Sequence, residues 1–439
     1  MNIRRWVPDL SPLRDFRDFR LVFSARSVTF LGAMITHVTV PYQLYEITHD
    51  VFAVGLMGLC ELVPLLFMAF VGGALADYVD RRKLVLYSEL AFAVLVGVLM
   101  LNSLSGAPQL WVLYVFAGLT AGVAGIQRPA LDSIIPRLVT PEKLPAAISL
   151  KSTATTAAML AGPAVAGLLI ATVPIPWVYA VDLATYAFSL VCLLLVRAVA
   201  PPEAAERPSL RTVVTGLRYA RSRQELMGTY LIDMNAMFFG MPTALFPALA
   251  LKLGGPGVLG LLYSAPALGA LVASLTSRWA ERIHRHGLAV ALAAAGWGLA
   301  IIGFGLSEAL WLALLFLALA GWADMVSGLF RSTMWGQTIP DRLRGRLAGI
   351  EVISYSSGPT LGQVESGIAA KLVGVTGSVV TGGVLCVVGT VAISALLPKF
   401  ISYDNREGIA VREAEEAALL LEAAPPDGDK PAAPVPGSQ

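Results

Sequence analysis

Eight ionisable side chains lie in or at the edge of stretches that are otherwise apolar: Arg26, His37, Glu61, Asp233, Asp324, Arg331, Glu351 and Glu365. A charge taken out of water is costly, so such a group finds a partner, changes protonation or serves a function. Glu61, just ahead of Pro64, and Asp233 are the deepest of the acids, and carboxylates so placed can take up and release a proton. His37 has the side chain whose ordinary titration falls nearest neutrality, although a histidine with its hydrogen bonds satisfied in a core is the plain alternative. On a helix, Glu351, Tyr355, Gly358, Gly362 and Glu365 fall within about 40° of one direction, and Arg26, Phe30, Ala33 and His37 align in the same way. Asp324 and Arg331 stand two turns apart on another segment. The bland reading for Arg26, Glu89, Lys151, Asp324 and Glu351 is a set of ion pairs that tie helices together. Glu89 and Asp182 fall on the third helix of each triplet, where a peripheral position is expected. Trp297, Trp322 and the Phe238-Phe239 pair could line an aromatic pocket or face lipid.

The elements that must position these groups follow from composition. The chain has 439 residues, 56% hydrophobic and only 14% charged, against roughly 25% charged in a soluble protein. Too few polar groups remain to cover a water-facing surface, so the excess must face lipid. Twelve apolar segments of spanning length are expected, at about 21–44, 51–75, 84–105, 109–128, 146–172, 177–197, 226–250, 257–277, 287–306, 309–330, 347–371 and 377–398. The fold class is therefore an all-α polytopic membrane protein. A net charge of +2 gives no case for nucleic acid. Cys60, Cys192 and Cys386 are far apart and form no metal or disulfide framework. No P-loop, HExxH or GxSxG motif is present, which argues against an ATP-driven pump or an enzyme. No cofactor is expected.

Basic residues give the orientation. With the N-terminus inside, 28 of the 32 Lys and Arg fall on cytoplasmic segments, as the positive-inside rule requires for an even number of crossings with both termini cytoplasmic. The charged first twenty residues lack the apolar core of a signal peptide, and Trp6, Val7, Leu10, Leu13 and Phe16 suit an interfacial segment. The expected organisation is an interfacial N-terminus at 1–20, a six-helix half at 21–197, a cytoplasmic amphipathic linker at 198–225, a second six-helix half at 226–398 and a largely disordered tail at 399–439. The halves are weak repeats. Arg128, Pro136 and Gly162-Pro163 in one are echoed by Arg331, Pro340 and Gly358-Pro359 in the other. Repeated halves are a mark of transporters.

Two motifs are more specific. Between the second and third segments stands Gly73-Ala74-Leu75-Ala76-Asp77-Tyr78-Val79-Asp80-Arg81-Arg82-Lys83. Gly73, Asp77, Arg81 and Arg82 suit a conformational latch: glycine for close approach, Asp77 toward a helix N-terminus, the arginines on that carboxylate or on anionic headgroups. In the fifth segment, Gly162, Pro163 and Gly167, with Ala158 and Ala166, form a small-residue seam with a proline bend. The loop resembles the G-x-L-a-D-R-x-G-R-R/K motif of the major facilitator superfamily, with Tyr78 and Asp80 departing from it. The fifth segment resembles the motif of its exporting branches. Phe246-Pro247, Leu262-Tyr263-Ser264-Ala265, Gly321-Trp322, Gln337-Thr338, Pro340 and Gly345-Arg346 make the chain similar to the enterobactin exporter branch of the drug:proton antiporter-3 family.

The resemblance implies an alternating-access exporter in a bacterial inner membrane, working as a monomer. It would be powered by the proton gradient and carry a siderophore of the enterobactin type or a related amphiphile. Multidrug efflux is the neighbouring reading, and a non-transporting sensor or scaffold the distant one. The buried arginine usual in the fourth helix of proton antiporters is missing at Phe116–Gly122, so that relay cannot be carried over.

Overall fold

The computed structural model describes residues 9–76, 80–197, 218–339, 341–406 and 408–410, with backbone alone at 69–76, 341–346 and 348–354. The chain folds into long helices: α1 (Arg17–Thr48), α2 (Val51–Ala76), α3 (Arg81–Leu104), α4 (Leu110–Leu138), α5 (Leu144–Thr172) and α6 (Ile175–Leu194). After the connection come α7 (Gln224–Leu253), α8 (Pro256–Leu275), α9 (His286–Leu306) and α10 (Leu310–Thr338). The final helical stretch, Asp341–Leu396, contains one non-helical residue, Gly374, at φ 79°. This left-handed value favours glycine. It divides the stretch into α11 (341–373) and α12 (375–396), which gives twelve long helices among the described residues, six in each half.

The helices run past the expected apolar segments. α1 has 32 residues, about 48 Å at 1.5 Å per residue, longer than the roughly 30 Å hydrocarbon layer. α4 continues through Pro129 and Pro136 to Leu138, which brings Arg128 inside the helix. Arg331 likewise lies within α10. Hydropathy marks where lipid contact stops; the backbone goes on wherever it can keep its hydrogen bonds. α7 breaks: Gln224–Phe239 stops at Gly240, and a 3-10 turn at Thr243–Leu245 precedes Phe246–Leu253. The freed backbone is re-satisfied in part by Trp297, whose indole N–H donates to the Gly240 carbonyl at 3.0 Å.

We call the end where α1 begins proximal and the opposite end distal. In the distal part the two halves approach closely through glycines. On α5 and α8, a Cβ at Gly167 or Gly260 would meet the other helix's backbone. On α2 and α11, Gly55 and Gly58 abut the carbonyls of Gln363 and Thr360, and Gly367 abuts Phe52. Ser264 of α8 donates to the Leu160 carbonyl at 2.8 Å. Small residues bring backbones together where lipid offers no hydrophobic drive for association. The distal end is also closed by a core built from both halves, including Ile35, Val38, Ala166, Ile170, Phe246, Leu249 and Leu259. At the proximal end, Phe400 from the short helix Pro398–Ile401 is fully buried against Gly228 and Gly287.

Most of the expected linker, and the tail from 411, lie outside the described residues. Residues 218–222 are helical, and Ala220 packs with Leu226, Tyr230, Ile339 and Leu347. In the N-terminal segment, Ser11–Asp15 is a short helix and Asp9 ion-pairs with Lys143 at 3.3 Å.

Candidate functional site

A cavity of about 320 Å³ opens among α1, α2, α3, α4 and α6, closed distally by Thr243 and Ala244 of α7, Tyr263 of α8 and Gln363 of α11. Its apolar wall is made by Phe30, Met34, Met57, Phe92, Phe116 and Val96. Pockets of this size, largely apolar with a few convergent polar groups, are the usual form of small-molecule sites.

The polar groups fall into two levels. At the deeper level, Glu61 lies ten residues into α2 and His37 eleven residues before the distal end of α1, so both sit about 15 Å from the distal helix ends. Both line the cavity. Glu61 makes no hydrogen bond or ion pair among the described residues. His37 stands edge-on to the Tyr263 ring at 5.8 Å and 74°, a contact across the two halves. Toward the proximal end, Arg26 donates to Gln127 Oε1 at 3.5 Å, and Gln127 donates from Nε2 to Glu89 Oε1 at 2.8 Å. The Arg26 guanidinium lies over the Phe30 ring, 5.3 Å from its centroid. Asp182, fully buried, accepts from Thr36 and from Thr185, the latter at 3.1 Å. Among the described residues its side chain accepts from hydroxyl donors alone.

Glu89 and Asp182 correct an expectation. The third helices of the first triplets are not peripheral here: α3 and α6 turn Glu89, Phe92, Asp182 and Tyr186 to the cavity. Gln127 and Gln363 were missed in the sequence, and Tyr263 stood there only within a family motif, because a neutral side chain in an apolar run carries no sign of its partners.

The second half deals with its charges differently. Asp233 of α7 is ion-paired with Arg331 of α10, both nearly buried, and Arg331 also reaches Asp324 at 3.8 Å. Asp233 is therefore not a lone intramembrane acid. The α11 stripe is a packing face along part of its length: Gly358 meets Met237 and Gly362 meets the backbone of Met237 and Phe238, both on α7. Tyr355 lies under the Arg128 guanidinium at 5.4 Å. Glu365 is half-buried outside the cavity, and the side chain of Glu351 is outside the described residues. Lys151 ion-pairs with Asp132 at 2.6 Å. Trp297, Trp322 and Phe238-Phe239 do not line the cavity; Trp322 stacks on Trp279.

Of the latch residues, Gly73 lies in α2 and Asp77 is outside the described residues. The arginines hold backbone carbonyls. Arg81 donates to Ser133 of α4 at 3.1 Å, and Arg82 donates to Leu193 and Leu194 at 3.1 and 2.8 Å. Arg82 thereby caps the C-terminus of α6, where a cation meets the negative end of the helix dipole. Gly162 of α5 seats Met34 of α1, and the Pro163 carbonyl and Gly167 meet Gly260 of α8. The fifth-helix motif thus joins one helix of its own half to one of the other.

Comparisons with known proteins agree with this architecture. Residues 7–423 match the family model described as transmembrane secretion effector. The enterobactin exporter EntS of Citrobacter koseri is 29% identical over 391 residues, 89% of this chain and 94% of that protein. EntS of Escherichia coli O1:K1 is 29% identical over 399 residues, 90% of this chain and 96% of that one. Among solved structures, a variant of the nucleoside transporter NupG superposes with a TM-score of 0.74 at 11% identity, covering 86% of this chain and 99% of its own. A bacterial homologue of the human lysosomal transporter Spinster gives 0.69 at 13% identity, covering 88% and 97%. These likenesses concern the fold. With a family model spanning nearly the whole length and a two-half helical fold to match, the chain belongs to the transmembrane secretion effector family of the major facilitator superfamily, and is a multi-pass bacterial membrane exporter.

Proposed function

We propose that the chain is a proton-coupled exporter of the bacterial inner membrane that moves an amphiphile of the enterobactin type outward, as a single chain, with both termini and the linker in the cytoplasm. The proximal end is then cytoplasmic. The distal seams of α2 with α11 and α5 with α8 are the contacts that must part when the halves rock. The carrying observation is Glu61: a carboxylate at mid-depth on the cavity wall, with no hydrogen bond or ion pair among the described residues. Asp233, the other deep acid, is already matched by Arg331. On the cavity wall itself Asp182 accepts from Thr36 and Thr185 and Glu89 accepts from Gln127, which leaves Glu61 as the group that can hold a proton in one state of the cavity and lose it in another. Asp77 remains the proposed latch residue.

The test is substrate-dependent proton movement in proteoliposomes with an imposed pH gradient and a small panel of catecholate siderophores. Glu61→Gln is expected to remove the dependence on the gradient, leaving a flux at least about tenfold lower. Undiminished, gradient-tracking export by this variant would end the assignment. Multidrug efflux is favoured by one observation, the phenylalanine and methionine wall. Adding cationic and neutral drugs to the same panel separates the two, since a siderophore exporter leaves them in the vesicle.

A further inference from the structure

Arg26 is a cation at membrane depth whose donors are mostly unused. Its guanidinium has five N–H donors. Among the described residues it makes one hydrogen bond, to Gln127 at 3.5 Å, well beyond the usual 2.9–3.0 Å. Its other contact is the face of Phe30. Among the described residues no carboxylate ion-pairs with it. The nearest candidate, Glu89, is 2% exposed, and its Oε1 takes the amide of Gln127. Gln127, 3% exposed, is oriented by that bond, so its carbonyl is the end presented to Arg26. Gln127 thus links the guanidinium to Glu89 without neutralising it. Arg26 lies on the wall of the cavity, within reach of what enters it. Arg331 makes the contrast, with Asp233 and Asp324 both on its guanidinium.

Arg26 is only half-buried, so donors without a protein partner are free for water or for a ligand that completes them. The planar fork suits an oxyanion, which accepts two parallel hydrogen bonds. Arg26 also lies eleven residues from His37 along α1, about 16 Å, which separates it from the level of Glu61.

We propose that Arg26, braced by Gln127 and backed by Phe30, is the subsite for an oxygen-acceptor headgroup of the transported molecule, a carboxylate being its simplest form. The inference rests on the export reading and divides the cavity: headgroup at the cytoplasmic level, proton at the level of Glu61.

The test uses two dyes of one skeleton, rhodamine 110, which carries a free carboxylate, and its methyl ester rhodamine 123. Binding to the purified full-length protein in detergent is followed by fluorescence polarisation. The parent is expected to bind the carboxylate at least about tenfold tighter than the ester. Arg26→Gln should lose that preference while its affinity for the ester stays within about twofold, which also shows that the variant folds. Arg26→Lys should keep part of it. Equal affinities in the parent overturn the subsite without any variant, as does a preference that survives in Arg26→Gln. Gradient-dependent flux in vesicles is read separately. Flux with no carboxylate preference removes the subsite and spares the export reading; a preference with no flux does the reverse.

Discussion

Arg26 and Asp233 are each the tenth residue of the first helix in their half, yet they meet opposite treatment. Asp233 faces Arg331 of α10 and the pair is closed. Arg26 faces Gln127 of α4, a neutral amide, and stays open to a cavity. Charge has been exchanged between the repeats, and so has occupancy. The second half uses its pair to fasten α7 to α10. The first half leaves a cation, a histidine and three acids, Glu61, Glu89 and Asp182, on the wall of a pocket. Related scaffolds can therefore carry structure in one half and recognition in the other, depending on whether the fourth helix of the half supplies a counter-charge.

This contrast can be broken experimentally, most forcefully at the closed pair. Arg331→Met should leave Asp233 charged and alone and destabilise the protein by about 3–5 kcal/mol. The Asp233→Leu and Arg331→Met double variant should recover most of that loss. Thermal unfolding in detergent is the measurement, and a single variant that melts like the parent would put Asp233 among the open acids instead. A smaller effect is expected at the open site. Gln127→Leu removes the acceptor of Arg26 and the donor of Glu89, at about 1–3 kcal/mol, and should loosen the carboxylate preference along with it. If stability drops but the preference stays intact, Gln127 is a packing residue only.

The smallest effect lies at the distal end, where Lys371 of α11 reaches Asp50 at 3.0 Å and the Phe52 ring at 4.2 Å. Burial pushes Asp50 up, but the Lys371 ammonium and the Phe52 backbone N–H outweigh it and hold the carboxyl below its ordinary value. A lowered carboxyl contributes stability that is complete above its unfolded value near about 4 and fades as pH falls through the folded one. Both partners are partly exposed, so Asp50→Asn should cost no more than about 1 kcal/mol at neutral pH. The difference from the parent should vanish in strong acid. A larger cost that persists at low pH would make the contact more than an ion pair.

The spanning segments and the doubling of the chain were legible from residue order, because a lipid-facing helix needs a long apolar run whatever it packs against. The seam of Gly162, Pro163 and Gly167 was legible too, since small residues at helical spacing have few other uses. The candidate site was legible only as a roster of rare charges. Glu61 and Arg26 stood on it beside Asp233 and Arg331, with nothing in the spacing to tell an open group from a closed one.

Partnership was decided by the tertiary structure. Asp233 and Arg331 lie on helices three crossings apart, Thr36 and Asp182 on the first and sixth helices, Gln127 and Glu89 on the fourth and third. Sequence by itself determined that these groups are out of water, for the apolar runs around them leave no other place. Whether each is neutralised depends on which helix face stands within about 3 Å, and that is set by the glycine seams and the rotation of each helix in its half. No local pattern encodes that rotation, so the placing of Glu89 and Asp182 on the cavity wall, and the freedom of Arg26, came from the fold alone.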